Sequence, residues 1–247
     1  MKALRFAALA LLAPCAALAN STDDVKAGGG AVVPSVGVSI DVAGKSSVQD
    51  HTMLSHAIDM GFTYARARRK QDRDLGDQPV NFGGQSFSER GGTDDGDIQW
   101  TSNIQLAHIG YRPRWWIANS NFALEGVIGV GWAGLGIKGV ANSGKAAAER
   151  MSNAGFVYGI GGIWRFAQAT SLQVRALGFV SGDDDGVSSA GRFDVTVAHA
   201  LTRNLQVRGG FGGVSAYSAR ENADDNNLRS PIRASGGGLF LGVDFTF

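Results

Sequence analysis

Apolar and polar residues alternate along most of this chain. From Val36, the apolar set Val36, Val38, Ile40 and Val42 interleaves with Gly37, Ser39 and Asp41. Leu54, Ile58, Met60, Phe62 and Tyr64 oppose Ser55, Ala57, Asp59, Gly61 and Thr63, and Ile98, Trp100, Ile104 and Leu106 oppose Gln99, Thr101, Asn103 and Gln105. Phe122, Leu124, Ile128, Val130 and Trp132 then face away from Ala123, Glu125, Gly129 and Gly131, and Phe156, Tyr158, Ile160, Trp164 and Phe166 from Gly155, Gly159, Gly161 and Arg165. Leu172, Val174 and Val180 oppose Gln173 and Arg175, although Leu177 and Phe179 blur that segment. Phe193, Val195, Val197 and Leu201 oppose Arg192, Asp194 and Thr196, and Leu205, Val207, Phe211 and Tyr217 oppose Gln206, Arg208, Gly210 and Gly212. The tail "LFLGVDFTF" closes the series, with Leu239, Leu241, Val243, Phe245 and Phe247 set against Phe240, Gly242, Asp244 and Thr246. A period of two marks a strand whose faces meet different surroundings.

Each segment runs to about ten residues or more, the length a tilted strand needs to cross a bilayer. The second face is rich in Gly, Ser, Gln and single charges, which suits a narrow, partly polar interior behind an apolar outer wall. Connectors such as "AQATS" and "TRN" are short, whereas residues 67–97, 138–153, 182–190 and 219–233 make longer, mostly polar ones. Aromatic side chains gather near strand ends, as in "YRPRWW" and "WRF", where an amphipathic ring suits a membrane interface.

The first residues, "MKALRFAALALLAPCAALA", place Lys2 and Arg5 before a short apolar run and end on Ala17-Leu18-Ala19. Residues 1–19 are read as a cleaved secretory signal peptide, with Cys15, the only cysteine, inside it. Without them, 21 Lys and Arg meet 22 Asp and Glu, so nothing in the charge argues for nucleic acid. Glycine is abundant at 36 residues without a collagen period, and the rest of the chain lacks an apolar stretch long enough for a membrane helix.

In this pattern the chain resembles the small bacterial outer-membrane β-barrel proteins of the OmpA and OmpX type, over most of residues 32–247. The most specific part is the tail: Gly242, Phe245 and the terminal aromatic Phe247 fit that family's assembly signal, while Phe240 stands where a polar residue is usual. The resemblance implies an all-β fold, a transmembrane antiparallel up-and-down barrel in the outer membrane of a Gram-negative bacterium. It also implies contact with outer-membrane lipid and lipopolysaccharide, passage through the barrel-assembly machinery, and a monomer. The expected organisation is a signal peptide (1–19), a flexible segment (20–31) and a barrel domain (32–247). An unpaired backbone group in lipid costs several kcal/mol, so the sheet must close. Even strand numbers are the rule for bacterial barrels. Eight strands starting near Leu54 are favoured, and ten, using Val80, Phe82, Ser86 and Ser88, are the alternative.

Several residues carry candidate chemistry. Asp59, Glu125, Arg165, Arg175, Asp194, Arg208 and Asp244 fall on the inward face, where charges must be paired, so they are expected to form a salt-bridge network that closes the lumen. Arg208 and Asp244, near one end of neighbouring strands, are the pair a gate would break first. Arg66, Arg68, Arg69, Lys70 and Arg73 crowd one loop base and are candidates to contact lipopolysaccharide phosphates, for which guanidinium forks are suited. "GVGWAG" matches a dinucleotide fingerprint but is followed by no helix, so no cofactor is expected. Asp183, Asp184 and Asp185 lack the spacing of a calcium loop, and no metal is expected. Ser55 and His56 point to opposite faces of a strand and cannot share a proton, so no enzyme is expected. The chain thus reads as an integral outer-membrane barrel with a structural or surface-interaction role, with a small pore for solutes as the alternative.

Overall fold

The computed structural model describes residues 25–43, 53–71, 80–82, 84–87, 98–117, 120–182, 186–218 and 232–247. Among the described residues, nine strands of this all-β fold close into one barrel: β1 (Val25–Ala43), β2 (Met53–Gln71), β5 (Ile98–Trp116), β6 (Phe122–Ala141), β7 (Ala146–Arg165), β8 (Thr170–Val180), β9 (Ser189–Ala200), β10 (Leu205–Ser218) and β11 (Ile232–Thr246). A separate hairpin, β3 (Val80–Phe82) with β4 (Gln85–Phe87), lies between β2 and β5 in sequence. Its turn uses Gly84 at φ +73°, a left-handed conformation that a side chain resists.

The strand count differs from both sequence expectations. The Val36–Val42 segment is neither left over nor matched by a tenth strand. It belongs to β1, which pairs with β2 on one side and β11 on the other. Among the described residues the wall begins at Val25, and residues 25–31, expected as part of a flexible segment, pair with β11. Val80 and Phe82 pair only within the β3–β4 hairpin, and Ser88 lies outside the described residues. With nine up-and-down strands the first and last run the same way, and β1 meets β11 in parallel, Val36 opposite Val243 and Val38 opposite Phe245. The terminal residue takes part: Phe247 N–H donates to Ser39 O at 2.9 Å, and Asp41 N–H donates to Phe247 O at 3.0 Å.

A ladder that leaves β1 at Ser39 and follows the pairing round the barrel re-enters β1 at Ala27, a stagger of 12 residues. With strands ~4.8 Å apart and ~3.3 Å rise per residue, that stagger tilts the strands by about 40°. The connections after β5, β7 and β9 are short and lie at one end, the short-turn end, together with Phe247. At the opposite end, the long-loop end, residues 138–153 are not one long loop. β6 and β7 extend through them to a tight turn at residues 142–145, with Gly144 at φ +86°.

The two faces of the wall exchange character along the barrel. Toward the short turns the outer face is apolar, with Ile58, Phe62, Ile128, Val130, Phe156, Ile160, Val197, Phe211, Leu241 and Phe245 all exposed. Aromatic rings cluster at its edge, where Phe122 stacks on Trp164 at 5.8 Å between centroids and Trp164 meets Phe166 at 5.8 Å. Toward the long loops the outer face turns polar, with Arg66, Arg68, Gln99, Lys138, Arg150 and Ser152 exposed. The interior does the reverse. Its long-loop half is an apolar core of Val33, Ile98, Trp100, Ile104, Leu106, Leu135, Ile137, Phe179, Val214 and Ile232, with Phe87 of the hairpin lowered into it against Trp100. This inverts the phase expected for β5: Ile98, Trp100, Ile104 and Leu106 point inward, and Gln99 is exposed outside. Leu177 and Phe179, which blurred the pattern of β8, are buried in the same core.

Candidate functional site

Below the apolar core, the short-turn half of the lumen is filled with charge. Asp59 on β2 is held by Arg112 Nη1 at 2.9 Å, by His108 Nε2 at 3.0 Å and by the hydroxyl of Ser39 on β1 at 3.1 Å. Glu125 on β6 accepts from Arg175 Nε at 2.6 Å and from Arg114 Nη2 at 3.2 Å. Asp244 on β11 takes Arg208 Nε at 2.7 Å and Nη2 at 2.9 Å, with Arg175 Nη1 at 4.0 Å. Asp194 on β9 binds Arg192 Nε at 2.7 Å and faces Arg208 Nη1 at 3.7 Å. Arg192 Nη1 donates onward to Thr63 Oγ1 at 2.8 Å and Ser35 Oγ at 3.4 Å. Every barrel strand except β7 places a polar side chain in this layer.

Strand alternation puts these groups inside, and glycine makes the room. At Gly161, on β7, a Cβ would stand 2.8 Å from Glu125 Oε1 and 3.0 Å from the Val174 carbonyl oxygen, so only glycine lets the carboxylate lie against the wall. Gly61 similarly makes way for the His108 ring. The glycines of "GVGWAG" lie within β6, which runs on to Ala141, so a helix-based dinucleotide site is absent from this segment.

Phe240 joins the two halves. It is fully buried, and the guanidinium groups of Arg192 and Arg208 lie over its ring at 5.2 and 5.4 Å from the centroid. An aromatic face attracts cations and offers its edges to the apolar core, so this ring can bound both layers. The residue that departs from the usual tail pattern thus has a local reason.

The layer is closely packed. Side-chain exposure is 0% for Asp194 and 2% for Glu125 and Arg208. A cavity of about 20 Å³ remains beside Asp59, His108, Arg112, Glu125 and Arg175, which is room for about one water. Buried ion pairs return their desolvation cost only when geometry and extra hydrogen bonds are good. Chemically, such a layer can lock strands in register and bar the lumen.

Six of the seven lumen candidates from the sequence meet here: Asp59, Glu125, Arg175, Asp194, Arg208 and Asp244. Arg165 does not, for it lies by the short turns with its guanidinium 4.5 Å from the centre of the Trp116 ring. The structure adds His108, Arg112, Arg114 and Arg192. Arg192 shares its phase with Asp194 two residues on, a signal present in the sequence, whereas the inverted phase of β5 hid the other three. Arg66 and Arg68 are exposed on the outer face of β2. Arg73 and the side chains of Arg69 and Lys70 lie outside the described residues, as do Asp183 to Asp185 and residues 1–24. Gly242 is buried beneath Arg208 and Phe240, while Phe245 and Phe247 face outward. Comparison with protein-family models, curated proteins and solved structures found no match.

Proposed function

We propose that the chain is an integral outer-membrane β-barrel with a structural and surface-interaction role, closed to solute flow. The observation that carries this reading is the paired exchange of polarity: the wall turns from apolar to polar at the level where the lumen turns from charged to apolar. A barrel in lipid wants apolar groups outside and can keep paired charges inside, whereas a barrel in water wants the opposite. Both preferences are met if the short-turn half is embedded and the long-loop half projects. At a tilt of about 40°, a strand of 19 or 20 residues such as β2, β5, β6 or β7 rises about 45 Å, against an apolar band of about 25 Å in such barrels. The surplus stands in the aqueous phase as a platform for the loops. Residues 1–19 act as the export signal in this reading, and the short turns face the periplasm.

The packed apolar core above a closely packed layer in which four carboxylates meet five arginines supports a plug rather than a conduit. Migration on a denaturing gel with and without boiling tests the reading. A closed barrel is expected to shift on boiling, and to partition with vesicles rather than buffer. A chain that dissolves without detergent would overturn it.

A further inference from the structure

The outer wall over β1, β2, β5, β6 and β7 carries a feature that the barrel's closure does not require. An apolar groove of about 870 Å³ runs across these strands, walled by Val36, Phe62, Ile109 and Val130 and floored by the small side chains of Ala107 and Ala154. A smooth lipid-facing wall would fill this place with larger residues. Trp132 lies between the two alanines in the pairing but turns its indole away over Gly134, leaving the floor open.

Above the groove, toward the long loops, stands a row of cations. The pairing sets Arg66 opposite Asn103, Asn103 opposite Gly136, and Gly136 opposite Arg150. One step higher it sets Arg68 opposite Thr101 and Thr101 opposite Lys138. Arg66, Arg68, Lys138 and Arg150 are all exposed on the outer face. Among the described residues no carboxylate shares that face with them, since Glu149 alternates to the inner side. Arg66 lies four residues beyond Phe62, and Arg150 four beyond Ala154, so each cation stands about 13 Å along its strand from the groove, roughly 10 Å in height after tilt. Guanidinium pairs suit phosphate by charge and by fork geometry.

We infer that this face is a binding site for a phosphorylated, acylated glycolipid of the outer leaflet, with one acyl chain in the groove and its phosphates on Arg66, Arg150 and Lys138. The inference rests on the membrane-spanning reading above. It goes beyond a charged loop base by joining a cation row on three strands to a chain-sized recess.

Native mass spectrometry of the barrel released from nanodiscs of phosphatidylcholine containing a minor fraction of lipid A tests it. One lipid A is expected to remain bound per barrel, while dephosphorylated lipid A is retained no better than phosphatidylcholine. Arg66→Gln with Arg150→Gln should cut the retained fraction about tenfold by removing the phosphate contacts. Ala154→Phe should do so by filling the recess. Both changes lie on the outer surface, so heat-modifiable migration should persist and show the variants folded. Equal retention by these variants, equal retention of the dephosphorylated lipid, or a lipid-free dimer would overturn the inference while leaving the barrel reading intact. Failure of the parent chain to enter nanodiscs would overturn the spanning reading itself, and the inference with it.

Discussion

Glu125→Gln perturbs the charge layer with little change of shape. The parent carboxylate is 2% exposed and binds Arg175 at 2.6 Å and Arg114 at 3.2 Å. Glutamine keeps one acceptor oxygen but removes the charge. Arg175, 12% exposed, is then left with Asp244 at 4.0 Å, a carboxylate already engaged by Arg208 at 2.7 Å. Removing one partner of a buried pair costs about 3–5 kcal/mol, because the other charge is stranded. Arg114 is 26% exposed and can turn to solvent, which places the expected loss near the lower end, about 3 kcal/mol. Arg175→Met in the same background removes the stranded cation. The double variant should therefore lose less than the sum of the single ones, with a coupling of about 1–3 kcal/mol. Urea unfolding in lipid vesicles, followed by tryptophan emission, measures all three variants. A single-variant loss below about 1 kcal/mol, or strict additivity, would refute the view of Glu125 as the acid that neutralises this part of the lumen.

Phe240→Ala empties the joint between charged and apolar layers and should cost about 3–5 kcal/mol in the same unfolding assay. Gly161→Val drives a Cβ to 2.8 Å from Glu125 Oε1 and should cost about 1–3 kcal/mol, read as a lower urea midpoint and a smaller folded fraction on unboiled gels. Ile128→Lys places a charge on the exposed apolar band and should destabilise the barrel in vesicles by about 2–4 kcal/mol. Gln99→Lys, exposed on the polar part of the same outer wall, should stay within about 0.5 kcal/mol. Equal effects of the two lysines would count against the change of environment along the wall.

The β architecture was legible because the outer face of most strands is apolar through the short-turn half, as in Phe122 to Trp132 on β6 and Leu239 to Phe247 on β11. Strand phase then follows from alternation alone. It failed on β5, where Ile98 to Leu106 are apolar at even positions because they line a core, and Ile109, Tyr111 and Trp115 are apolar at odd positions because they face outward. That shift of frame between Leu106 and Ile109 is the trace of the change in environment, and Leu177 and Phe179 on β8 carry another. Missing it hid His108, Arg112 and Arg114. The number of strands was not legible, because the glycine-rich start of β1 has little alternation, and its place is fixed by pairing with β2 and β11. The Arg208–Asp244 contact followed from shared phase on neighbouring strands. The link through Arg192 to Thr63 and Ser35 crosses the lumen, and no local pattern encodes it.

The central claim, that the short-turn half is embedded and the long-loop half projects, is tested most directly by labelling single cysteines with a membrane-impermeant maleimide in vesicles. Cys15 is the only native cysteine, so with it removed or replaced each introduced thiol reports alone. Cysteines at Gln99 and Ala148, exposed on the outer face beyond Arg66 and Arg150, are expected to react without detergent, whereas those at Ile128 and Val197 react only after the bilayer is dissolved. Reaction at Ile128 as readily as at Gln99 in intact vesicles would contradict the claim.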